Sequence, residues 1–135
     1  MNCAYIDANV ILRLVTGDPP DMAERAAALL RRVDEGQLEI VVDEVVVLET
    51  VWVLSSFYGF APSQIAPIMQ TFLVGRGILC DERNELLQAL ALYEDKNIDF
   101  ADAVLAVKMM THGVRDIYSF DKHFERLESV RRLSP

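Results

Sequence analysis

Five carboxylates stand where a parallel α/β chain would place chemistry. Asp7 directly follows an apolar segment in Ala4-Tyr5-Ile6-Asp7-Ala8-Asn9. Glu49 and Thr50 interrupt a run from Val45 to Leu54 whose other eight residues are apolar. Asp99 and Asp102 open the segment Asp99-Phe100-Ala101-Asp102-Ala103-Val104, and Asp121 lies in Ser119-Phe120-Asp121-Lys122-His123. Several acids with no obvious basic partner suit a hard divalent cation such as Mg²⁺ or Mn²⁺, which takes oxygen ligands. Such an ion, or a pair of them, eases attack of water on phosphorus and stabilises the departing oxygen. Zinc is disfavoured, because two His and two Cys show no ligand spacing. No Ser–His or Cys–His arrangement points to a protein nucleophile.

Each acid also has a plainer explanation. Asp is a preferred helix N-cap, which alone would account for Asp7. Asp99 with Asp102 fits an N-cap followed by an N3 carboxylate, both favoured by the helix dipole. Asp121 fits an ordinary turn residue. Glu49 shares a helical stripe with Val45, Val46, Trp52 and Val53, at i−4, i−3, i+3 and i+4. That stripe predicts a largely buried carboxylate, which is costly without a partner. Arg13, Lys108 and Lys122 are candidates for phosphate contact, and His123, which could also touch phosphate, fits a surface histidine better. Cys3 and Cys80, in apolar segments, are expected in the core.

The elements that position these residues alternate between short strands and longer helices. Cys3 to Ile6 reads as a strand, followed by a helix from Ala8 to Val15 that Thr16-Gly17-Asp18-Pro19-Pro20 breaks. Asp21 reads as the N-cap of a helix to about Glu35, with Glu24 completing a capping box. A strand from Leu38 to Val42 leads to a helix capped by Asp43 and running to about Tyr58. Ser63 to about Leu73 reads as helical despite Pro67, Ile78 to Cys80 as a strand, and Glu82 to Glu94 as a helix with apolar residues at i, i+3, i+4 spacing. Asp99 opens a helix ending near His112, and strands follow at Asp116 to Ser119 and Val130 to Leu133. The alternation predicts a three-layer α/β/α sandwich around a parallel sheet of four to five short strands. In such sheets the functional crevice lies beyond the carboxyl ends of the strands. Asp7, Glu49, Asp102 and Asp121 are expected to converge there.

Size and composition bound the rest. The 135 residues predict a single domain over 1–135. A 52% hydrophobic and 25% charged chain is not disordered. The longest apolar run, ten residues containing Glu49, is too short to cross a membrane. The opening Met1-Asn2-Cys3-Ala4-Tyr5 carries no basic segment, so no signal peptide is expected. Two cysteines without a CxxC pair fit a reduced, cytoplasmic setting. Thirteen basic against twenty-one acidic residues give a net charge of −8. Binding nucleic acid by bulk phosphate neutralisation is thereby disfavoured, unless metal ions held by the acids meet the phosphates.

Four ordered blocks carry a resemblance. Tyr5-Ile6-Asp7-Ala8-Asn9-Val10-Ile11-Leu12-Arg13 with Thr16-Gly17-Asp18-Pro19 resembles the start of PIN-domain proteins, more narrowly the VapC-type toxins of toxin–antitoxin pairs. Leu48-Glu49-Thr50-Val51-Trp52-Val53-Leu54, Asp99-Phe100-Ala101-Asp102-Ala103 and Ser119-Phe120-Asp121-Lys122 resemble the later blocks in the same order. The resemblance spans essentially the whole chain. It implies a Mg²⁺- or Mn²⁺-dependent ribonuclease with Asp7, Glu49, Asp102 and Asp121 as its acidic site. Asp99 is then secondary, and Asn9 has a helix-entry or supporting role. Ser119 stands where many relatives carry Thr, keeping the hydroxyl.

The resemblance also implies a VapB-like antitoxin, offering a short amphipathic segment to an apolar groove and a basic residue near the acids. A homodimer is expected because Val47, Leu48, Val51 and Leu54 lie beyond the Glu49 stripe, more than one sheet can cover. The alternative is a catalytically idle PIN fold acting as an interaction or RNA-binding module. Receiver and dehalogenase-type folds fit poorly: Asp7 has no adjacent acid, and Asn9 replaces the second aspartate.

Overall fold

The computed structural model describes residues 2–135, which form two compact units, Met1–Arg83 and Asn84–Pro135. The first unit begins with β1 (Asn2–Tyr5), α1 (Ala8–Thr16), α2 (Pro20–Asp34) and β2 (Leu38–Val41). It continues through α3 (Glu44–Ser56), α4 (Pro62–Leu73) and β3 (Ile78–Leu79). α5 (Arg83–Lys96) starts at its last residue. Three strands pair in the order β1-β2-β3, all parallel, with Asn2 opposite Leu38, Tyr5 opposite Val41 and Ile40 opposite Ile78. Parallel pairing needs a crossover between strands, and the intervening helices supply it. β2 is therefore central, and Ile40 is buried.

The second unit holds α6 (Phe100–Thr111), β4 (Asp116–Tyr118), a 3₁₀ turn (Lys122–Arg126) and β5 (Arg131–Leu133). β4 and β5 pair in parallel, Asp116 opposite Arg131 and Tyr118 opposite Leu133. Leu86, Ala89, Leu90 and Tyr93 of α5 and Phe100, Ala103, Ala106 and Val107 of α6 are buried. Tyr93 and Phe100 meet edge to face at 5.6 Å. All five strands are parallel-paired, as the alternation predicted, although they hydrogen-bond as a set of three and a set of two.

Two local expectations are corrected, at Asp21 and Cys3, and one is met, at Pro67. Pro19, not Asp21, takes the N-cap position of α2, with Pro20 at the first helical position. A proline there loses no helical hydrogen bond, and its fixed φ suits helix entry. Asp21 lies in the first turn, where the helix dipole favours an acid. α4 runs through Pro67 because Ile65, Ala66, Met69 and Leu73 are all fully buried, and tertiary packing outweighs the lost backbone bond. Cys3 is exposed rather than in the core, because all four β1 residues are exposed; Cys80 is half-buried.

Candidate active site

Asp7 occupies the carboxyl end of β1 and the N-cap of α1 at once. Its backbone is extended (φ −99°, ψ 173°), and its Oδ1 accepts the Val10 N–H at 3.3 Å. The cap explanation therefore holds in full, but it uses only one carboxylate oxygen. Asp7 is exposed and lines a groove of about 490 Å³. Asn9, Val10 and Arg13 from α1, and Met22, Arg25, Ala26 and Leu29 from α2, line the rest.

Glu49 departs from its expected environment. It is exposed, as are Val45 and Trp52, each 64% accessible, so the stripe they share is open rather than buried. The core side of α3 is instead Val47, Thr50, Val51 and Leu54. Thr50 is the polar residue that is buried, and its hydroxyl donates to the Val46 carbonyl at 2.7 Å. A helix apolar on nearly every side offers no periodicity from which to choose its inner face. The same fact removes the original basis for the dimer, because Val47, Val51 and Leu54 are already covered by their own chain.

In the second unit Asp102 feels the charges of Asp99 and Asp121. Asp99 sits at the N-cap position of α6 (φ −58°, ψ 141°), yet its side chain makes no capping bond. Its carbonyl accepts the first helical hydrogen bond, from the Ala103 N–H at 2.9 Å. Asp102, in the first turn, is half-buried. Burial first, then the negative charges of Asp99 and Asp121, push its carboxyl above the ordinary range, with His123 opposing.

Asp121 caps the 3₁₀ turn, its Oδ1 accepting the His123 N–H at 2.8 Å. The His123 Nδ1 lies 3.2 Å from the same oxygen, and the Asp121 N–H donates to the Ser119 hydroxyl at 2.9 Å. Ser119 and His123 thus hold the turn that presents Asp121. His123 is exposed, as a surface histidine should be; Lys122 beside it is exposed too, while Lys108 is half-buried and already engaged.

Two features escaped the sequence. Parallel strands β2 and β3 also end in acids, at Asp43-Glu44 and Asp81-Glu82, so the carboxyl edge of the three-stranded sheet is acidic along its length. Asp43 caps α3 through Val45 (2.9 Å). Burial, followed by Glu44, Asp43 and Asp81, pushes the Glu82 carboxyl up. The strand-end rule that singled out Asp7 would have found these acids had it been applied to every strand. Arg25 carried no comparable signal, because an arginine on an amphipathic helix looks like any solvated position.

Among the described residues, no group of three or more His, Cys, Asp or Glu side chains forms a ready metal cage. The donors fit a hard cation by chemistry all the same. They are carboxylate oxygens, and in the second unit they lie close enough to repel.

The parallel α/β chain carries acids at its strand ends and helix starts, and the family comparison places it. The chain matches the PIN domain over residues 4–130 and belongs to that family, with its α/β/α fold. It is similar to a VapC ribonuclease of Aquifex aeolicus (strain VF5), 22% identical over 122 residues that cover 90% of each chain.

Proposed function

We propose that this PIN domain is a Mg²⁺- or Mn²⁺-dependent endoribonuclease and the toxin of a type II toxin–antitoxin pair, its 135 residues acting as a single domain. The carrying observation is Asp102, half-buried, with its carboxyl pushed up first by burial and then by the charges of Asp99 and Asp121. An unneutralised group of this kind is costly unless a cation joins it. Similarity to a VapC ribonuclease supports RNA as the substrate and a VapB-like antitoxin as the partner.

Asp7, Glu49, Asp102 and Asp121 are the catalytic and ion-holding acids in this proposal, with Asp99 secondary. When bound, the divalent ion lowers the pKa of water and offsets charge on the phosphate. Asp7 is held at a fixed place by the α1 cap and keeps its second oxygen for the ion. The Ser119 hydroxyl and the His123 amide fix the loop and carboxylate of Asp121. Asp102, half-buried among like charges, would gain from a cation held beside it.

The proposal places the protein in the cytoplasm as a homodimer. Exposed Val45 and Trp52, on the same helix as Glu49, supply the apolar surface for an interface. That surface also suits a basic amphipathic antitoxin segment. The test is cleavage of labelled RNA by purified protein. Activity should require Mg²⁺ or Mn²⁺, stop with chelator and be lost in Asp7→Asn. Cleavage that survives both would belong to a contaminant and refute the assignment.

A further inference from the structure

We infer that Arg13 and Arg25, on the two walls of the α1–α2 groove, hold backbone phosphates of the RNA strand next to the one presented at Asp7. This rests on the ribonuclease proposal and assigns its substrate path. Arg13 is prepositioned: its Nη1 donates to the Asp18 carbonyl at 3.2 Å and to the Tyr58 hydroxyl at 3.3 Å. Both acceptors are neutral, so the positive charge stays uncompensated. The two N–H groups of Nη1 are then engaged, and Nε with Nη2 remains as the edge that grips a phosphate in bidentate fashion. A guanidinium already fixed in place loses little freedom on binding.

Arg25 lies across the groove and has no hydrogen-bond or ion-pair partner among the described residues. Two uncompensated guanidinium groups lining one groove are notable in a chain of net charge −8. They line the same groove as the candidate ion-holding acid Asp7, and Val10, Met22 and Leu29 add apolar lining. Arg13 lies six positions beyond Asp7, roughly 9 Å along the helix axis, a short step along a phosphodiester backbone. Charge favours RNA over a basic antitoxin segment here, because a basic visitor would meet two arginines.

The experiment measures binding of a random-sequence single-stranded RNA pool to full-length Asp7→Asn protein, which cannot cleave it, across a salt series. Adding Arg25→Gln or Arg13→Gln should weaken binding about five- to tenfold at low salt. Each should also lower the slope of log affinity against log salt by about 0.7, the signature of one lost phosphate contact. Arg31→Gln, an exposed charge on the same helix outside the groove, serves as the control and should leave the slope unchanged. In the Asp7 protein, both groove variants should lower kcat/KM mainly through KM. Arg25 is exposed and unpartnered, so its variant separates binding from folding if Arg13→Gln is destabilised.

An unchanged affinity and slope in Arg25→Gln overturns the inference, as does absence of RNA binding by the Asp7→Asn chain. Weaker binding of a co-purified antitoxin with RNA affinity intact would assign the groove to the protein partner and overturn it too. Failure of the ribonuclease proposal reads out separately, as metal-independent or absent cleavage by the wild type.

Discussion

Asp116 and Asp102 belong to the same unit, and their carboxyls are pushed in opposite directions. Asp116 on β4 receives two hydrogen bonds from the Arg131 guanidinium, at 2.7 and 2.8 Å, and is held below the ordinary carboxylate range. Asp102 on α6 has burial and two like charges around it, and rises. One acid meets its cation across a parallel strand pair, where Asp116 and Arg131 stand opposite in register. The other is gathered with acids by a helix start and a turn. The contrast teaches where the chain is self-sufficient and where it awaits a charge from outside. A paired surface acid is a fastening; an unpaired half-buried one is a site held at a cost.

The largest effect should be on catalysis. Asp102→Asn should lower metal-dependent RNA cleavage by on the order of a hundredfold or more. Asp116→Asn should leave it within about twofold. If both variants lose activity alike, the distinction between fastening and site collapses.

Metal should separate the two acids next. At about a hundredfold excess over Kd, one bound ion stabilises by about 2.7 kcal/mol, which raises Tm by several degrees. Wild type and Asp116→Asn should gain equally from Mg²⁺ or Mn²⁺ in a thermal melt, and Asp102→Asn much less. Equal gains in all three would place the ion elsewhere.

In chelator the pH dependences should have opposite signs. The folded pKa of Asp102 is raised, so its ionisation penalises the folded state. That penalty is absent below the unfolded value near 3.9 and grows as pH rises through the folded value. Asp102→Asn should therefore stabilise the metal-free protein at neutral pH. The folded pKa of Asp116 is lowered, so its contribution is present above the unfolded value and lost as pH falls through the folded one. Asp116→Asn should slightly destabilise at neutral pH. Tm measured from pH 3 to 8 for both variants tests the pair of signs.

The smallest effect concerns Asp7, which is both cap and candidate ligand. Asn caps a helix as well as Asp does, so Asp7→Asn should barely change metal-free stability while abolishing activity. Asp7→Ala should cost about 1 kcal/mol in addition. A loss of several degrees already in Asp7→Asn would make Asp7 a structural cap and misplace the site.

What the sequence determined by itself was local and periodic. Strands near Cys3, Leu38, Ile78, Asp116 and Val130, and the helices between them, follow from apolar period, turn residues and caps, and each is found within a few residues of its expected place. Asp7 and Asp121 could be placed after strands, and Asp99 and Asp102 at a helix start, because those positions depend only on neighbours in the chain. Tertiary structure decided what depends on distant atoms. Nothing local distinguishes the inner face of α3, where every side is apolar, so only packing could bury Thr50 and leave Glu49 and Trp52 in water. Nothing local pairs Asp116 with Arg131 and leaves Asp102 among acids, because strand register and the return of the Asp121 turn set those distances. Arg25 became distinct only when α2 brought it to the groove that Asp7 also lines. Propensity acts over a turn or two of chain, whereas charge and burial are summed over all that folding brings near.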